Sequence, residues 1–504
     1  MARQLTNVVI EAPGFWGVNT EDSPAAMPPS FAKTADNCIV DNKGRLAARQ
    51  GLEYVTTTGG TASNVTSMYE FIEADNTATV FSTGSNKIYS GTTTLTDETG
   101  ALSITADNWQ IVQMNDEVHF FQSGHEPLVY DPDVGTVQLH SAHAAAAGTP
   151  PQADCVAAGF GRLFAAQVTG NDHTIFWSDL LIGTAWSGGT SGSLDTQKHW
   201  PTGHDTIQAM AVHNNFLVVF GRRNILMYIG ANSPSTMRLE DTIAGVGTEH
   251  RDSLIFTGDD LFFLDNTGYR SLGRTIQEKS SPLGQVSRNI NTDLIGLVSA
   301  ETSPIKAVFD RKNSNVLLML PSNQVVACFD TRLRLEDGSY RSTWWTGVNL
   351  NCGLFAADDS LLFGSVDGIK EYSEEYTDEG AGYILRYYAW AQDFGEPTVE
   401  KIPKGMSITT EGGNAYTMSV KFSYDYSENY ATIPFTLPAY IDGEFGLDEF
   451  GIAEYGGNGG GISKSHVNLK GRGRTVSLGL ETTIDGDALA IQEMNIHSVL
   501  GRMI

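Results

Sequence analysis

The sequence predicts an all-β chain: a β-propeller of about six to eight blades and an additional antiparallel β-domain formed mainly by the C-terminal region. Three observations predict this fold. The chain has 504 residues, of which 41% are hydrophobic and 53 are glycines. Short apolar runs alternate with Gly, Asn and Asp turns, and long windows of helical periodicity are missing. Above all, the chain contains an internal repeat. A short helix is expected only around residues 281–295.

The repeat occurs seven times, and each copy has a turn rich in Asn, Asp or Gly, an apolar strand, a polar turn and a second apolar or aromatic strand. Examples are ADNTATVFSTGSNKIYSG from Ala74, HNNFLVVFGRRNILMYIG from His213 and RKNSNVLLMLPSNQVVACFD from Arg311. With the apolar strand before it, each copy comprises three or four strands in about 40–55 residues, the period of a propeller blade. Two β-sandwiches with recurring hairpins are the alternative.

The repeat divides the chain into three parts. Residues 61–375 are predicted to form the propeller, and residues 1–60 an N-terminal segment that packs on the C-terminal domain or, under the resemblance described below, on an adaptor protein. Residues 376–504 are predicted to form a sandwich-like β-domain, because VKFSYDY and TVSLGLET alternate strictly. Within it, residues 439–461 are rich in glycine and acids and indicate a projecting loop or subunit arm. Its acidic residues are Asp442, Glu444, Asp448, Glu449 and Glu454.

Composition restricts the class of protein. Asp and Glu number 59 against 32 Lys and Arg, giving a formal net charge of −27. This charge disfavours a nucleic-acid reader, which needs a basic surface. It is compatible with a surface that DNA passes without binding, although simple solubility is the favoured explanation. No apolar run is long enough to span a membrane, and the start lacks a secretory signal. The four isolated cysteines are typical of a reducing cytosol.

Motifs for catalysis are missing, so the chain is predicted not to be an enzyme and to need no cofactor. The phosphate-binding loop, the HExxH zinc motif and the GxSxG elbow are all absent. The segment DGSYRSTWW is the nearest match to a sialidase Asp box, but it occurs once and with different spacing. Its Trp344 and Trp345 are interpreted as core packing.

The histidines also give no strong signal for a site. His140 and His143 are interpreted as an inert linker pair, in preference to a metal site. His119 and His125 are interpreted as bracketing the turn of a hairpin in a solvent-facing loop.

Two segments resemble a known family. GVNTEDSPAAMPPSFAKTADNCIVDNKGRLAARQG, from Gly17 to Gly51, resembles the N-terminal signature of the tail nozzle proteins (tail tubular protein B family) of short-tailed bacteriophages. RQG stands here where that family usually has RPG. The C-terminal segments LKGRGRTVSLGLET and IQEMNIHSVLGR are similar to the closing strands of the same group.

This resemblance implies a structural protein of the virion tail, made in the host cytoplasm. It implies a homo-oligomeric ring, typically of six copies, below the tail adaptor ring protein. Tail fibres would attach near the junction of the two rings, and DNA would leave through the bore without sequence-specific contact. The alternative function is a carbohydrate- or receptor-binding propeller, lectin-like or glycosidase-like.

Two groups of residues follow as candidates under the nozzle hypothesis. The acids of the 439–461 loop are the candidate bore or gate residues. Arg45 and Arg49 are candidate inter-domain or subunit contacts, because bidentate arginine–carboxylate pairs would fix the position of their segment. The alternative is that both are surface arginines of little consequence.

Overall fold

The computed structural model describes residues 5–12, 14–56, 64–105, 107–278, 285–413, 415–438 and 462–503. Nearly all regular structure in these ranges is β-strand. The two α-helices are short, α1 (Leu272–Glu278) and α2 (Asn291–Ala300). The second overlaps the end of the region in which the sequence predicts a helix.

Six short strands form the N-terminal segment. They are β1 (Leu5–Glu11), β2 (Gly17–Val18), β3 (Phe31–Asp36), β4 (Cys38–Val40), β5 (Leu46–Ala48) and β6 (Gly51–Tyr54). They do not pair into a sheet of their own but are shared among three sheets, as described below.

Seven small antiparallel sheets follow, built from consecutive strands. Sheet 1 has β7 (Ser67–Ile72), β8 (Ala78–Gly84), β9 (Lys87–Ser90) and β10 (Thr96–Asp97). Sheet 2 has β11 (Gln110–Met114), β12 (Glu117–Phe121), β13 (Leu128–Asp131) and β14 (Thr136–Leu139). Sheet 3 has β15 (Ala153–Gly159), β16 (Arg162–Val168), β17 (Thr174–Trp177) and β18 (Gly192–Asp195). Sheet 4 has β19 (Ile207–His213), β20 (Phe216–Gly221), β21 (Asn224–Ile229) and β22 (Arg238–Ala244).

The last three of these sheets are less regular. Sheet 5 has β23 (Ile255–Phe256), β24 (Leu261–Asp265) and β25 (Gly268–Ser271), and α1 follows directly. Sheet 6 has β26 (Lys306–Asp310), β27 (Asn315–Leu320), β28 (Val325–Arg334) and β29 (Tyr340–Thr346). Sheet 7 has β30 (Cys352–Phe355), β31 (Leu361–Ser365), β32 (Gly368–Ser373) and, as its fourth strand, β6.

The first strands of successive sheets contact one another in a closed series. β7 contacts β11, β11 contacts β15, β15 contacts β19, β26 contacts β30, and β30 returns to β7. Between β19 and β26 the contact runs through the 3-10 turn Arg251–Ser253, which precedes β23. A small twisted sheet buries both its faces only against neighbours, and this arrangement gives every sheet two of them. The predicted all-β chain with propeller-type repeats is confirmed at this level.

Burial along the strands follows the sequence pattern. The runs FLVVF and VLLML, predicted to be buried on both faces, form most of β20 and β27, and every residue of β27 is buried. Both are the second strand of their sheet. Both residues of the edge strand β10, in contrast, are exposed.

The C-terminal strands form two sheets that face each other. Their strands are β33 (Tyr383–Ala389), β34 (Val399–Gly412), β35 (Thr417–Tyr424), β36 (Ala431–Thr436), β37 (Ile462–Asn468), β38 (Val476–Ile484) and β39 (Leu489–Met503). One sheet has the order β37-β34-β39-β5-β4, with β1 also paired to β39. The other contains β33-β38-β35-β36. Met406 and Ile496 from the first sheet and Leu480 from the second share one core.

The N-terminal strands connect these parts. β2 and β3 lie between β29 of sheet 6 and β33, so sheet 6 and the C-terminal sheet form one ten-stranded sheet. β6 pairs with β32, with Leu52 opposite Tyr372, and so completes sheet 7. The division at residues 60 and 375 stays a prediction, and the segment assigned to residues 1–60 contributes strands on both sides of the second boundary.

Candidate functional site

Arg49, a candidate contact residue, lies fully buried where the N-terminal segment meets sheet 7 and the C-terminal domain. Its Nη1 lies 2.8 Å from Asp378 Oδ1, and its Nη2 contacts Asp378 Oδ2, so the pair is bidentate. Its Nε donates to Asn37 Oδ1 at 3.1 Å. The guanidinium lies 4.1 Å from the centre of the Tyr383 ring. This arrangement combines a charge-assisted pair with a cation–π contact.

The surroundings of Arg49 are aromatic and rigid. Trp345 lies 5.7 Å from the guanidinium and stacks on Tyr372 with ring centres 5.1 Å apart. Trp345 is almost completely buried and Trp344 is buried too, so the prediction that this tryptophan pair is core packing is confirmed. The guanidinium of Arg49 is therefore stabilised by protein groups and not by water. Removing its carboxylate partner would leave a buried charge unpaired.

Arg45 is partly exposed and joins the β4–β5 hairpin to β34. Its Nε lies 2.7 Å from Asp41 Oδ2, and its Nη1 contacts Glu411 of β34. The turn DNKG explains the position of Arg45, because Asp41 Oδ1 accepts hydrogen bonds from the backbone N–H groups of Lys43 and Arg45, both at 2.9 Å. Within this chain both arginines thus contact carboxylates of distant segments. Their role in contacts between subunits stays a prediction.

Two glycines of the same segment sit where no side chain fits. Gly17 has φ +84°, and a Cβ on it would lie 2.5 Å from Ser342 O in β29. A Cβ on Gly51 would lie 2.0 Å from Thr377 O. Both glycines therefore permit close approach of two backbones.

The candidate bore residues Asp442, Glu444, Asp448, Glu449 and Glu454 lie outside the described residues.

A second charged group, the channel cluster, occupies the centre of the circle of sheets. It comprises Ser67, Asn108, Asp154, Arg251, Asp252 and Lys306, from the starts of the first strands of five sheets. Arg251 lies 2.9 Å from both Asp252 oxygens and 3.0 Å from Asp154 Oδ1. Lys306 Nζ lies 3.7 Å from Asp252 Oδ2 and donates to Ser67 Oγ at 2.7 Å.

Charges balance in the channel cluster, with two cations and two carboxylates. Burial by itself would raise the pKa of Asp252, but Arg251 and Lys306 lower that pKa to about 2. Burial lowers the pKa of Lys306, opposed by the charge of Asp252. The cluster ties five sheets together across the axis. Sequence reasoning missed it, although its members share one signal: a polar or charged residue near the start of the first strand in five of the seven sheets.

Three histidines of sheet 2 and its following connection lie in a third polar group. The interpretation of His119 as part of a solvent-facing loop is wrong, since His119 lies within β12 and is fully buried. Both faces of this strand are buried, since Val118, Phe120 and Phe121 are buried as well. His140 and His143 do belong to the connection between sheets 2 and 3, but both are buried. His125 is half-buried against Trp109, with ring centres 4.9 Å apart.

The histidines meet two carboxylates. His143 Nε2 lies 3.2 Å from Asp131 Oδ2 and 3.5 Å from Glu117 Oε1. Glu117, Asp131 and His143 are the one set of three or more His, Cys, Asp or Glu side chains in the described ranges whose arrangement could hold a metal ion. We call these three residues and His119 the sheet-2 cluster. Glu117 and Asp131 were not candidates from the sequence, because each ends or begins a different strand.

The cysteines offer little chemistry. Cys38, Cys155, Cys328 and Cys352 are all free and buried. Burial raises the pKa of each thiol, to about 12 for Cys155 and about 11 for Cys352. Such thiols stay protonated and unreactive. Neither α1 nor α2, the helices of the described ranges, has the length and apolar character that crossing a membrane requires.

Comparisons with known proteins bear on the fold only. No family model matches the chain, and no curated protein matches it. One similar solved structure is the extracellular domain of a proposed hybrid two-component system from B. thetaiotaomicron, with 12% identity and a TM-score of 0.44. That match covers 76% of this chain and 47% of the other, so this chain spans less than half of that relative.

Two other similar structures are smaller. Streptogramin B lyase has 12% identity and a TM-score of 0.37, covering 64% of this chain and 97% of its own. The WD40 β-propeller domain of Doa1 has 10% identity and a TM-score of 0.38, covering 64% and 96%. None of these three is described as a phage tail protein.

Proposed function

We propose that this chain is a structural, non-catalytic protein, a seven-bladed propeller fixed to a C-terminal β-sandwich, that serves as a nozzle subunit in the tail of a short-tailed bacteriophage. One observation carries the proposal. The segment Gly17–Gly51, which resembles the tail nozzle family, holds the propeller and the C-terminal domain together.

Each distinctive residue of that segment has a structural task. Gly17 allows β2 to lie against β29, and Gly51 allows β6 to pass Thr377. Asn37, with φ 54°, accepts hydrogen bonds from Arg49 Nε and from the backbone N–H of Thr346. These residues hold strands and domains together and, in this proposal, take no part in catalysis. A protein that transmits load needs such contacts, and this supports the resemblance.

The closed series of contacts supports a proposed number of blades. Seven sheets take part, and the seventh is completed by β6 from the start of the chain. A strand from the start of the chain that pairs with β32 joins the two ends of the circle, and its pairing has to offset the entropy cost of closing that long loop. We infer seven blades, each one sheet.

The wider assembly is proposed with the function. Six copies would form a ring on the tail adaptor ring protein, tail fibres would attach near that junction, and DNA would pass through the bore. The net charge of −27 per chain supports such a conduit, because like charges keep DNA from adhering to its walls. The place of action would be the virion tail.

Assembly of the purified full-length chain tests this proposal. Light scattering after size-exclusion chromatography would give the mass of the chain alone and mixed with the adaptor ring protein of a phage that encodes this chain. Negative-stain images would show the particles that form. We expect six-fold rings or tubes, at least when the adaptor is present. A chain that stays monomeric with the adaptor at every concentration would overturn the nozzle.

A receptor- or carbohydrate-binding propeller is the second candidate function. It is favoured by the loop between β17 and β18, where the consecutive residues Leu180, Leu181 and Ile182 are exposed. The loop is firmly held, since Asp179 Oδ1 accepts hydrogen bonds from the backbone N–H groups of Leu180 and Thr190, both at 2.8 Å. Contiguous exposed apolar side chains on a fixed loop are typical of binding surfaces.

A glycan array probed with the labelled full-length chain separates the two candidates. Selective binding that is lost in the Leu180→Ser variant would favour recognition. Absence of binding to glycans, together with ring formation, would leave the nozzle.

A further inference from the structure

The sheet-2 cluster has the spacing of a metal site. Donor atoms bound to one Zn²⁺ at about 2.0–2.2 Å in a tetrahedron lie roughly 3.3–3.5 Å apart. The distances from His143 Nε2 to Asp131 Oδ2 and to Glu117 Oε1 are 3.2 Å and 3.5 Å. All three donor atoms lie within 4.8 Å of one another. Small movements of the Glu117 and Asp131 side chains would place an ion at bonding distance from all three.

The charge of the cluster is unbalanced, unlike that of the channel cluster. Glu117 and Asp131 bring two carboxylates to one imidazole, and no Lys or Arg within the described ranges forms an ion pair with either. A divalent cation would supply the missing positive charge.

A buried nitrogen without a hydrogen-bond partner points at the same place. His119 is fully buried, and its Nε2 lies 3.4 Å from Glu117 Oε2 without forming a hydrogen bond. Buried polar atoms are nearly always paired, so an orphan beside a carboxylate needs a reason. An ion that draws Glu117 into position would give this N–H an acceptor held in place.

The protonation of His119 follows from its neighbours. Trp186 Nε1, which can only donate, lies 3.3 Å from His140 Nδ1. The proton of neutral His140 is therefore on Nε2, which lies 3.1 Å from His119 Nδ1. His119 in turn carries its proton on Nε2, which lies 3.4 Å from Glu117 Oε2. Both rings are fully buried, and burial disfavours the charged imidazolium.

His143 is oriented from its other side. Its Nδ1 lies 3.1 Å from Thr184 Oγ1 and 3.2 Å from the backbone N of Ala145. When Nε2 binds a cation, the ring proton lies on Nδ1 and is donated to Thr184 Oγ1, the arrangement common for metal-bound histidines. The cost is the hydrogen bond from the backbone N–H of Ala145.

We propose that Glu117, Asp131 and His143 bind one divalent transition-metal ion of the Zn²⁺ class. His119, held by His140 and Trp186, positions Glu117 through its Nε2–H. One nitrogen and two carboxylate oxygens suit Zn²⁺. Glu117 and Asp131 are partly exposed, so water can occupy a fourth position. The ion would fix the ends of the two central strands of sheet 2 to the connection that leads to sheet 3. This inference does not depend on the proposed function.

Zinc titration of the full-length chain tests the proposal. The protein, stripped with EDTA and dialysed, is titrated with ZnCl₂ in competition with a chromogenic chelator. We expect one ion per chain, and binding at least about tenfold weaker in Asp131→Asn and Glu117→Gln. The matched control is Asp172→Asn, which alters an exposed His–carboxylate pair, His173 with Asp172 at 3.1 Å. We expect that control to bind like the unchanged protein.

Other results would overturn the metal site. They are the absence of stoichiometric zinc binding, equal binding in all four proteins, or loss in the Asp172 control. Circular dichroism shows whether each variant folds. If the Asp131 and Glu117 variants do not fold, the absorption spectrum of the unchanged protein with Co²⁺ decides. Visible bands of a tetrahedral nitrogen–oxygen site at one equivalent support the proposal, and the spectrum of the hydrated ion overturns it.

Discussion

The circle of sheets has two halves that differ in how they are closed. Sheets 1–4, the independent half, each consist of four consecutive strands. Sheets 5–7 form the joined half, in which sheet 5 has only three strands, sheet 6 continues through β2 and β3 into the C-terminal domain, and sheet 7 needs β6. The same repeat thus gives self-sufficient sheets in one half and an attachment point in the other.

We expect the joined half to contribute most to the stability of the fold and the independent half to carry the surfaces available for binding. The joined half contains Arg49, which is fully buried and paired with a carboxylate 329 positions away along the chain. The independent half contains the sheet-2 cluster and the exposed Leu180–Ile182 loop. The channel cluster lies between them and has contributions from both. We therefore expect substitutions to be most damaging in the joined half.

Replacing Arg49 should have the largest effect. Arg49→Ala leaves Asp378 without its bidentate partner, and breaking a buried pair costs about 3–5 kcal/mol. Urea unfolding followed by tryptophan fluorescence measures the loss. Arg49→Lys should recover only part of it, because an ammonium cannot form the paired contacts. Arg45→Ala, at a partly exposed pair, is the matched control and should cost less. Equal losses for Arg45→Ala and Arg49→Ala would contradict the comparison.

The channel cluster should make stability depend on pH below about 4. The pKa of Asp252 is lowered to about 2, against about 3.9 in an unfolded chain. Its ionised form therefore stabilises the fold fully above about pH 4, and this contribution of about 2 kcal/mol disappears as the pH falls toward 2. In Asp252→Asn this loss should be absent.

Urea midpoints at pH 7, 4, 3 and 2.5 measure that dependence. The difference in urea midpoint between the unchanged protein and the Asp252→Asn variant should become smaller as the pH falls. Asp75→Asn, which alters an exposed carboxylate of sheet 1, is the control and should show much less narrowing. A difference in urea midpoint that stays constant from pH 7 to 2.5 would show that Arg251 and Lys306 do not stabilise the ionised form of Asp252.

The smallest effect is expected in the independent half. Leu181 is exposed and has φ 61°, a conformation that asparagine adopts more easily than leucine. Leu181→Asn should leave the free energy of unfolding unchanged or raise it by up to about 1 kcal/mol, while binding of any glycan found on the array should fall. Destabilisation by more than about 1 kcal/mol would mean that this loop serves the fold.

The sequence allowed the repeat to be predicted because the consecutive strands within each copy pair with one another. FLVVF and VLLML are buried as their composition indicates. The partner of β6 could not be predicted, since Leu52 and Tyr372 are far apart in sequence and many strands of similar composition compete for that edge. The shared ten-stranded sheet has the same cause.

The sites were harder to predict than the fold. Arg49 was a candidate because of its family-like segment, yet nothing in RQG indicates that Asp378 receives it. The sequence gives no metal signal for His143, because Glu117 begins one strand of sheet 2, Asp131 ends another and His143 lies in the connection that follows. Spacing along the chain cannot show that these three positions meet.

Hydrogen exchange measured by mass spectrometry tests the central claim most directly, namely that the segment Gly17–Gly51 makes the joined half and the C-terminal domain one unit. In the intact chain, we expect the amides of β3 and β6 to exchange as slowly as those of β27 and β38, through global unfolding. In Arg49→Ala, β3 and β6 should become fast while β20 of the independent half stays protected. Fast exchange of β3 and β6 in the unchanged protein would contradict the account.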